Sequence, residues 1–455
     1  MCGFSISFGN SGLDPDKLKH RGVEKFTVSH SYLKNNKSSH YDMTFFKLPF
    51  QTSLGDNWNQ PIELSDDRYL LFNGEIFNIP QGFENDVDYL KSFFSDENWE
   101  SKIGGDEYNT WDGFWSICIV TRDGVYAFTD PLGKKQLYYG EKGIASEIKP
   151  LLGGVCEPEP NFDYDKVSKT FFTPFKGIER IYPNRLYHFA PEKKYLPVII
   201  KGKLFDLSRK PKSDDFLKLL ENAVVSRIHR KGKNSLFLSG GLDSTVILDI
   251  IIKTGNKDHF EFVTIENQED ENYIKILEDF YGIQIRRVLS ENWKTFPFAN
   301  KKYLLNAYEY PLEKGSLLPN YFLCQFCSYE SILTGDGADE LFSGYNRAQI
   351  NDTQEFDIFT ELPYYHNIRL DRMGMLFTKE IRSPFQSHEL VRFAINTPWT
   401  DRIGKKQIKT AFANRIPQEI LNRQKTPLRI ADRVEDESKY DNSIKSTFIK
   451  NFFKI

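Results

Sequence analysis

The segment Leu238-Ser-Gly-Gly-Leu-Asp-Ser-Thr245 restricts the fold of this chain more than any other stretch. An apolar strand, Ser235-Leu-Phe-Leu238, runs into it, and a helix from Ser244 to Lys253 runs out of it. Two glycines between a buried strand and a helix let the backbone turn sharply and approach a bound group. The N–H groups of the turn and of the helix start then point at that group, an anion site. No Gly-Lys-Ser/Thr follows, so this is not the loop that serves γ-phosphoryl transfer. Asp243 adds a carboxylate where a bare phosphate site would avoid one, which suits a Mg²⁺ ion held beside the anion. Strand Glu261–Ile265, helix Glu271–Tyr281 and strand Ile283–Val288 continue the alternation. The second half of the chain is therefore expected to be an α/β domain on a parallel sheet. After Pro311 the pattern reads as mostly helical, with one helix over Asn320–Ile332.

The first part reads differently. Ser5–Phe8, Tyr69–Phe72, Trp115–Val120, Val125–Phe128 and Arg185–Phe189 are short strand-like runs separated by turn formers. Val87, Leu90 and Phe94 recur at helical spacing, so a helix is expected over Asp86–Phe94, giving an α+β pattern. Near Lys201–Ser213 basic, Ser and Pro residues replace the apolar alternation. The expected organisation is a domain over 1–195, a linker over 196–213, and a second domain over 214–455 that opens with a helix at Asp214–Arg230.

Composition narrows the class. The 455 residues are 40% hydrophobic and 27% charged, with both signs mixed, which supplies a core and excludes general disorder. No apolar run is long enough to span a membrane. Five scattered cysteines are not a disulfide framework, and Met1-Cys-Gly-Phe has no basic n-region, so a cytoplasmic protein is expected. Net charge is −3, with an acidic excess early and a basic one late. A basic end in a near-neutral protein suits a small polyanion better than a nucleic acid.

Ser239-Gly-Gly-Leu-Asp-Ser244 resembles the pyrophosphate loop of the N-type ATP pyrophosphatases. Gly335-Asp-Gly-Ala-Asp-Glu-Leu-Phe-Ser-Gly-Tyr345 resembles the second signature of one branch, the glutamine-dependent asparagine synthetases. Leu370-Asp-Arg-Met373, Glu380-Ile-Arg-Ser-Pro-Phe385 and Arg423-Gln-Lys425 follow in that family's order. At the other end, Met1-Cys-Gly-Phe, His20-Arg-Gly22, Asn73-Gly-Glu75 and Ser146-Glu-Ile-Lys149 resemble its class II glutaminase domain. The resemblance implies an N-terminal-nucleophile glutaminase of stacked antiparallel sheets with flanking helices, followed by an ATP-pyrophosphatase domain whose C-terminal part is mostly helical. It also implies glutamine, ATP and aspartate as substrates, Mg²⁺ as cofactor, and a homodimer, with no role for nucleic acid or membrane.

The chemistry at Cys2 is legible on its own. With Met1 removed, one residue carries both a thiol nucleophile and an α-amine with a pKa of about 7.7–8.0 to take its proton. By resemblance, the Asn73 side chain and the Gly74 N–H serve the oxyanion, while Glu75 and Asp86 take the ammonium of glutamine. The family's carboxylate-binding Arg is missing from Phe46-Lys-Leu-Pro49, where Lys47 stands in as a point charge for a bidentate fork. Val23-Glu24 replaces the usual Pro-Asp after His-Arg-Gly. In the second domain the resemblance assigns ATP contacts to Leu238, Ser239, Gly240, Gly241, Asp243, Ser244, Gly335 and Lys405, with Lys406 alongside. Asp243 and Asp339 hold Mg²⁺, Asp336 lies at the reacting centre, and Lys425 stabilises charge on the α-phosphate.

Other residues read more simply. Glu380 and Arg382 are expected to be a structural ion pair. Cys324-Gln-Phe-Cys327, Phe45–Phe46 and Phe171–Phe172 are expected in the core, and eight scattered His give no zinc site. The acceptor stays open: aspartate, or another carboxylate such as a sugar acid, a peptide or an antibiotic precursor. A further alternative is a non-catalytic nucleotide or glutamine sensor.

Overall fold

The computed structural model describes residues 2–48, 58–64, 67–152, 173–229, 231–290, 296–310 and 314–424. The chain divides into two compact units, Met1–Asp206 and Leu207–Ile455.

The first unit holds twelve described strands: β1 (Gly3–Ser7), β2 (Glu24–Lys34), β3 (Lys37–Lys47), β4 (Ile62–Glu63), β5 (Tyr69–Ile76), β6 (Gly113–Thr121), β7 (Gly124–Thr129), β8 (Tyr138–Gly140), β9 (Gly143–Ala145), β10 (Ile178–Arg180), β11 (Arg185–Phe189) and β12 (Pro197–Gly202). They form two antiparallel sheets, ordered β10-β8-β9-β1-β3-β2 and β12-β11-β7-β6-β5-β4. Phe4, Ile6, Met43 and Phe45 fill the interior beside the first sheet, and β6 is buried along its whole length. Helix α1 (Asp86–Ser95) and an aromatic cluster cover the second sheet, with Phe94 and Tyr108 meeting Phe128 and Trp111 meeting Trp115. The helix starts where it does because Asn85 accepts a hydrogen bond from the Asp88 N–H at 2.9 Å, a side-chain N-cap.

Two parts of this unit depart from the sequence reading. The β2–β3 hairpin was not anticipated; it turns on Asn35 and Asn36, both at positive φ, as a tight two-residue hairpin requires. Residues 197–202, read as linker, form the edge strand β12 against β11, with exposed Val198, Ile199 and Ile200. The surrounding lysines hid the β-branched run.

In the second unit, β13 (Asn234–Phe237), β14 (Phe260–Ile265), β15 (Ile285–Val288), β16 (Ser331–Leu333) and β17 (Glu380–Arg382) make a parallel sheet ordered β15-β14-β13-β16-β17. Its helices include α2 (Phe216–Ser226), α3 (Leu242–Lys253), α4 (Gln268–Tyr281), α5 (Lys314–Phe326) and α6 (Asn367–Leu376). Chain order reverses at β13, with β14 and β15 on one side and β16 on the other. The loops leaving β13 and β16 therefore flank the crevice where open parallel sheets bind ligands. Among the described residues the chain after Pro311 is mostly helical, as expected, but the helix expected over Asn320–Ile332 stops at Phe326, and Ser331-Ile-Leu333 is a sheet strand, as is Glu380–Arg382. Three-residue strands are too short to show an alternation. Cys324 and Cys327 are buried, and burial raises both thiols above their usual pKa, as core packing requires. Phe45 and Phe46 are likewise core, whereas Phe171 and Phe172 lie outside the described residues. Among the described residues no helix is long and apolar enough to cross a membrane.

Candidate active sites

In the first unit, Cys2 at the head of β1 meets Asn73 on β5. The Cys2 backbone N–H donates to Asn73 Oδ1 at 3.1 Å, and both residues are buried. Arg21 holds Cys2 from the other side: its Nε donates to the Cys2 carbonyl at 3.1 Å, and its Nη1 donates to the fully buried Glu147 at 2.7 Å. Asn73 Nδ2 is buried without a hydrogen-bond partner among the described residues. A donor left in that state costs about 1–3 kcal/mol, so its presence calls for an acceptor brought by a ligand.

The edge of β5 supplies a second donor. The Trp115 carbonyl accepts from Asp130 on the far side of β6, so the facing pair Gly74–Trp115 is a non-hydrogen-bonded one. The main-chain groups of Phe72, Gly74 and Ile76 consequently point away from β6. The Gln60 amide pairs with Phe72, donating to its carbonyl at 2.9 Å and accepting from its N–H at 2.6 Å. Asp86 accepts from Ile76 N–H at 3.1 Å. Between them the Gly74 N–H faces the same edge, directly after the Asn73 amide. No side chain fits at Gly74, since a Cβ there would land on the Phe114 carbonyl.

The same region gathers the remaining sequence candidates. Glu75 and Asp86 stand at the end of β5. Lys47 is one register step beyond the Gly3–Phe46 pair, which sets it alongside Cys2. Its ammonium is buried, 2.7 Å from Asn59 Oδ1 and 4.1 Å from the centre of the Trp58 ring. An aromatic face and an amide oxygen keep this charge within the protein without neutralising it.

In the second unit the loop after β13 runs into α3, whose N-cap is Gly241 and makes no side-chain cap. No capping side chain from Gly241 covers the start of α3, an arrangement that suits a bound anion. Ser239 and Ser244 brace the loop: Ser239 N–H donates to Ser244 Oγ at 3.3 Å, and the two hydroxyls lie 3.4 Å apart. The loop after β16 packs against it so closely that a Cβ at Gly335 would lie 2.9 Å from Asp243 Cβ. Asp243 and Asp339 converge on one cation, the Lys405 ammonium, at 2.6 and 2.7 Å to Asp243 and 2.6 Å to Asp339. Two carboxylates directed at one positive charge are a donor set that fits Mg²⁺, with phosphate oxygens completing the shell. Among the described residues no group of three or more His, Cys, Asp and Glu could hold a metal.

Asp336 opens a chain of contacts beside this pair. Arg369 donates to Asp336 at 2.9 Å and to His366 Nδ1 at 3.2 Å. Since a guanidinium cannot accept, Nδ1 is the accepting nitrogen and His366 Nε2 carries the proton shared with Glu340 at 3.1 Å. Burial, with the neighbouring Asp339 charge, pushes Glu340 up to about 8. Tyr345 donates to the same carboxyl at 2.5 Å. Lys406 instead pairs with Asp401 on the surface, and Glu380 and Arg382 form a buried ion pair at 2.6 Å. Lys425 lies outside the described residues.

The asparagine synthase family model matches residues 215–355 and 346–447, just over half of the chain. The chain belongs to the asparagine synthase family. Among its relatives, a putative asparagine synthetase [glutamine-hydrolyzing] 2 of Methanocaldococcus jannaschii is 24% identical over 76% of this chain and 76% of its own length. A probable asparagine synthetase [glutamine-hydrolyzing] of Acanthamoeba polyphaga mimivirus is 24% identical over 93% of this chain and 84% of its own. The asparagine synthetase [glutamine-hydrolyzing] of Gallus gallus is 23% identical over 93% and 83% respectively.

Within this asparagine synthase family chain, several contributors escaped the sequence reading. Arg423 donates to the Ser239 carbonyl at 3.1 Å, pairs with Asp270 and lies 4.0 Å over the Tyr273 ring, buttressing the anion loop from α4. Only its place in Arg423-Gln-Lys425 signalled it. Gln60, Asn59 and Trp58 carried no signal beyond the Gln60-Pro61 pair, and Arg369 and His366 none.

Proposed function

We propose that the chain is a glutamine-dependent asparagine synthetase, with the glutaminase in the first unit and the ligase in the second. With Met1 removed, the Cys2 amine takes the proton from the Cys2 thiol, and the sulfur attacks the glutamine amide. The oxyanion is received by Asn73 Nδ2 and the Gly74 N–H, donors already fixed before substrate arrives. Glu75 and Asp86 take the substrate ammonium, and Lys47 its carboxylate. The Cys2 ammonium then returns its proton to the leaving nitrogen, the C–N bond breaks and ammonia departs, leaving a thioester from which water releases glutamate; the ammonia is the nitrogen donor of the second site.

In that site the Ser239–Ser244 loop and the first turn of α3 bind the pyrophosphate portion of ATP. Asp243 and Asp339 would hold Mg²⁺, which would supply charge neutralisation on the phosphates. The aspartate β-carboxylate displaces pyrophosphate to give an acyl-adenylate, a step needed because a carboxylate is a poor electrophile. Ammonia then displaces AMP, with Asp336 beside the reacting carbon and Lys425 on the α-phosphate.

The observation that carries this reading is Asn73, whose Oδ1 accepts from the Cys2 backbone N–H at 3.1 Å, the nitrogen that becomes the α-amine once Met1 is removed, while its buried Nδ2 lacks an acceptor among the described residues. The test supplies purified protein with amide-¹⁵N glutamine, ATP, Mg²⁺ and aspartate, and reads asparagine, AMP and pyrophosphate by mass spectrometry. Labelled asparagine in step with AMP is expected. Glutamate without asparagine would reject aspartate and point to another carboxylate acceptor. No turnover after verified loss of Met1 would overturn the enzyme reading in favour of a sensor.

A further inference from the structure

Lys405 is delivered to the carboxylate pair by its backbone. Its N–H donates to the Phe342 carbonyl at 3.0 Å, and that of Gly404 donates to the Ser343 carbonyl at 3.1 Å. Arg402 Nη1 donates to Ser343 Oγ at 2.9 Å, fixing the same turn to the end of the Asp339 loop. Lys405 itself sits at φ 63°, an uncommon conformation for a side-chain-bearing residue. The buried ammonium makes all three short contacts to Asp243 and Asp339 at once.

We infer that Lys405 is a positioning residue, an internal counter-cation that keeps the Asp243–Asp339 pair from taking a divalent ion until the nucleotide arrives. This rests on the reading of that pair as the metal site. Mg²⁺ binds oxygens at about 2.0–2.1 Å, so an ion joined to both carboxylates needs the space the ammonium fills. Without nucleotide, the ion must evict a buried ammonium and leave it unpaired, a heavily penalised state. With nucleotide, the phosphates offer the displaced ammonium a new partner beside the loop. Metal and nucleotide therefore load together, and aqueous metal alone is held out.

The experiment measures Mn²⁺ binding to the full chain by electron paramagnetic resonance, first without nucleotide and then with an ATP analogue whose α,β bridge cannot be cleaved. Wild type is expected to bind Mn²⁺ weakly alone and tightly with the analogue. Lys405→Met, of similar length but uncharged, is expected to bind Mn²⁺ alone about ten-fold or more tightly than wild type. Its melting temperature in chelator should fall below that of wild type, because two carboxylates then face each other, and should recover on adding Mn²⁺. Lys405→Arg, which keeps the charge, should keep Mn²⁺ binding weak in the absence of nucleotide. Equal or weaker Mn²⁺ binding by Lys405→Met alone, with binding intact in the presence of the analogue, overturns the role of Lys405. Failure of every variant to bind Mn²⁺ even with the analogue overturns the metal reading of the pair. Neither outcome depends on glutamine, acceptor or turnover, so both are separable from failure of the synthetase reading.

Discussion

Replacing Asn73 by alanine separates the two tasks its side chain is given. Loss of Nδ2 removes one of two donors aimed at the oxyanion, which at comparable sites costs about 10²–10³ in turnover, or about 2.7–4 kcal/mol. Loss of Oδ1 also removes the 3.1 Å contact to the Cys2 nitrogen, which is the general base once Met1 is gone, so the base is less well held. Glutamine hydrolysis should fall at least about 10²-fold. Stability should respond very differently. Removing a buried donor that has no partner relieves about 1–3 kcal/mol, while deleting the Oδ1 hydrogen bond costs about 0.5–1.5 kcal/mol and opens a small void. These nearly offset, so the melting temperature should move by no more than about 4 °C. Ammonia-dependent asparagine formation should stay within two-fold of wild type. The paired measurement is glutamate release against calorimetric melting. A variant that keeps glutaminase activity within about ten-fold would refute the oxyanion role, since one lost donor is worth more than 1.4 kcal/mol. A variant that melts far lower would show that Asn73 is held for the fold.

Lys47→Ala should raise KM for glutamine about ten- to hundred-fold with little change in kcat, because the charge near Trp58 meets substrate equally in ground and transition states. Steady-state glutaminase kinetics read the split, and an unchanged KM would remove Lys47 from the glutamine site. Arg372→Met should destabilise the second unit by about 3–5 kcal/mol in chemical denaturation, because it removes the buried cation that pairs with Glu309 at 2.8 Å and with Asp371 at 3.4 Å. Adding Glu309→Gln should recover most of that loss. His20 is held below its usual pKa mainly by burial, against the opposing pull of Glu147. The unfolded chain therefore binds the proton first, and first-unit stability should fall as pH drops below about 6.5. His20→Gln should flatten the melting temperature between pH 7.5 and 5.5.

How much of this was legible depended on the type of signal. The β13–loop–α3 unit could be read because strand, glycine pair and apolar helix agree over a continuous stretch, and Asn73-Gly-Glu75 because the motif is contiguous. The β2–β3 hairpin carried Phe26, Val28 and Tyr32 at strand spacing and an Asn-Asn turn, but its exposed face is so polar that no strand was assigned there. β16 and β17 are three residues each, paired to strands far away in sequence, and no local window contains the information that defines them. Arg369, His366 and Arg423 belong to the same class. Their partners lie 33, 26 and 184 residues away, so their importance arises only from chain tertiary contacts.

The two sites hold unmet charge and hydrogen-bonding capacity in opposite ways, and this follows from what each must receive. An oxyanion forms only in passing, so Asn73 Nδ2 must already stand in place, and the protein tolerates one unpaired neutral donor at a cost of about 1–3 kcal/mol. A pair of buried carboxylates cannot be left that way, because their repulsion without a cation is far larger than the cost of one missing hydrogen bond. A cation between Asp243 and Asp339 removes that repulsion, and Lys405 lies 2.6–2.7 Å from both. The glutaminase is therefore poised for its transition state before substrate binds. On the counter-cation role inferred for Lys405, the ligase site exchanges one cation for another, which ties its assembly to arrival of the nucleotide.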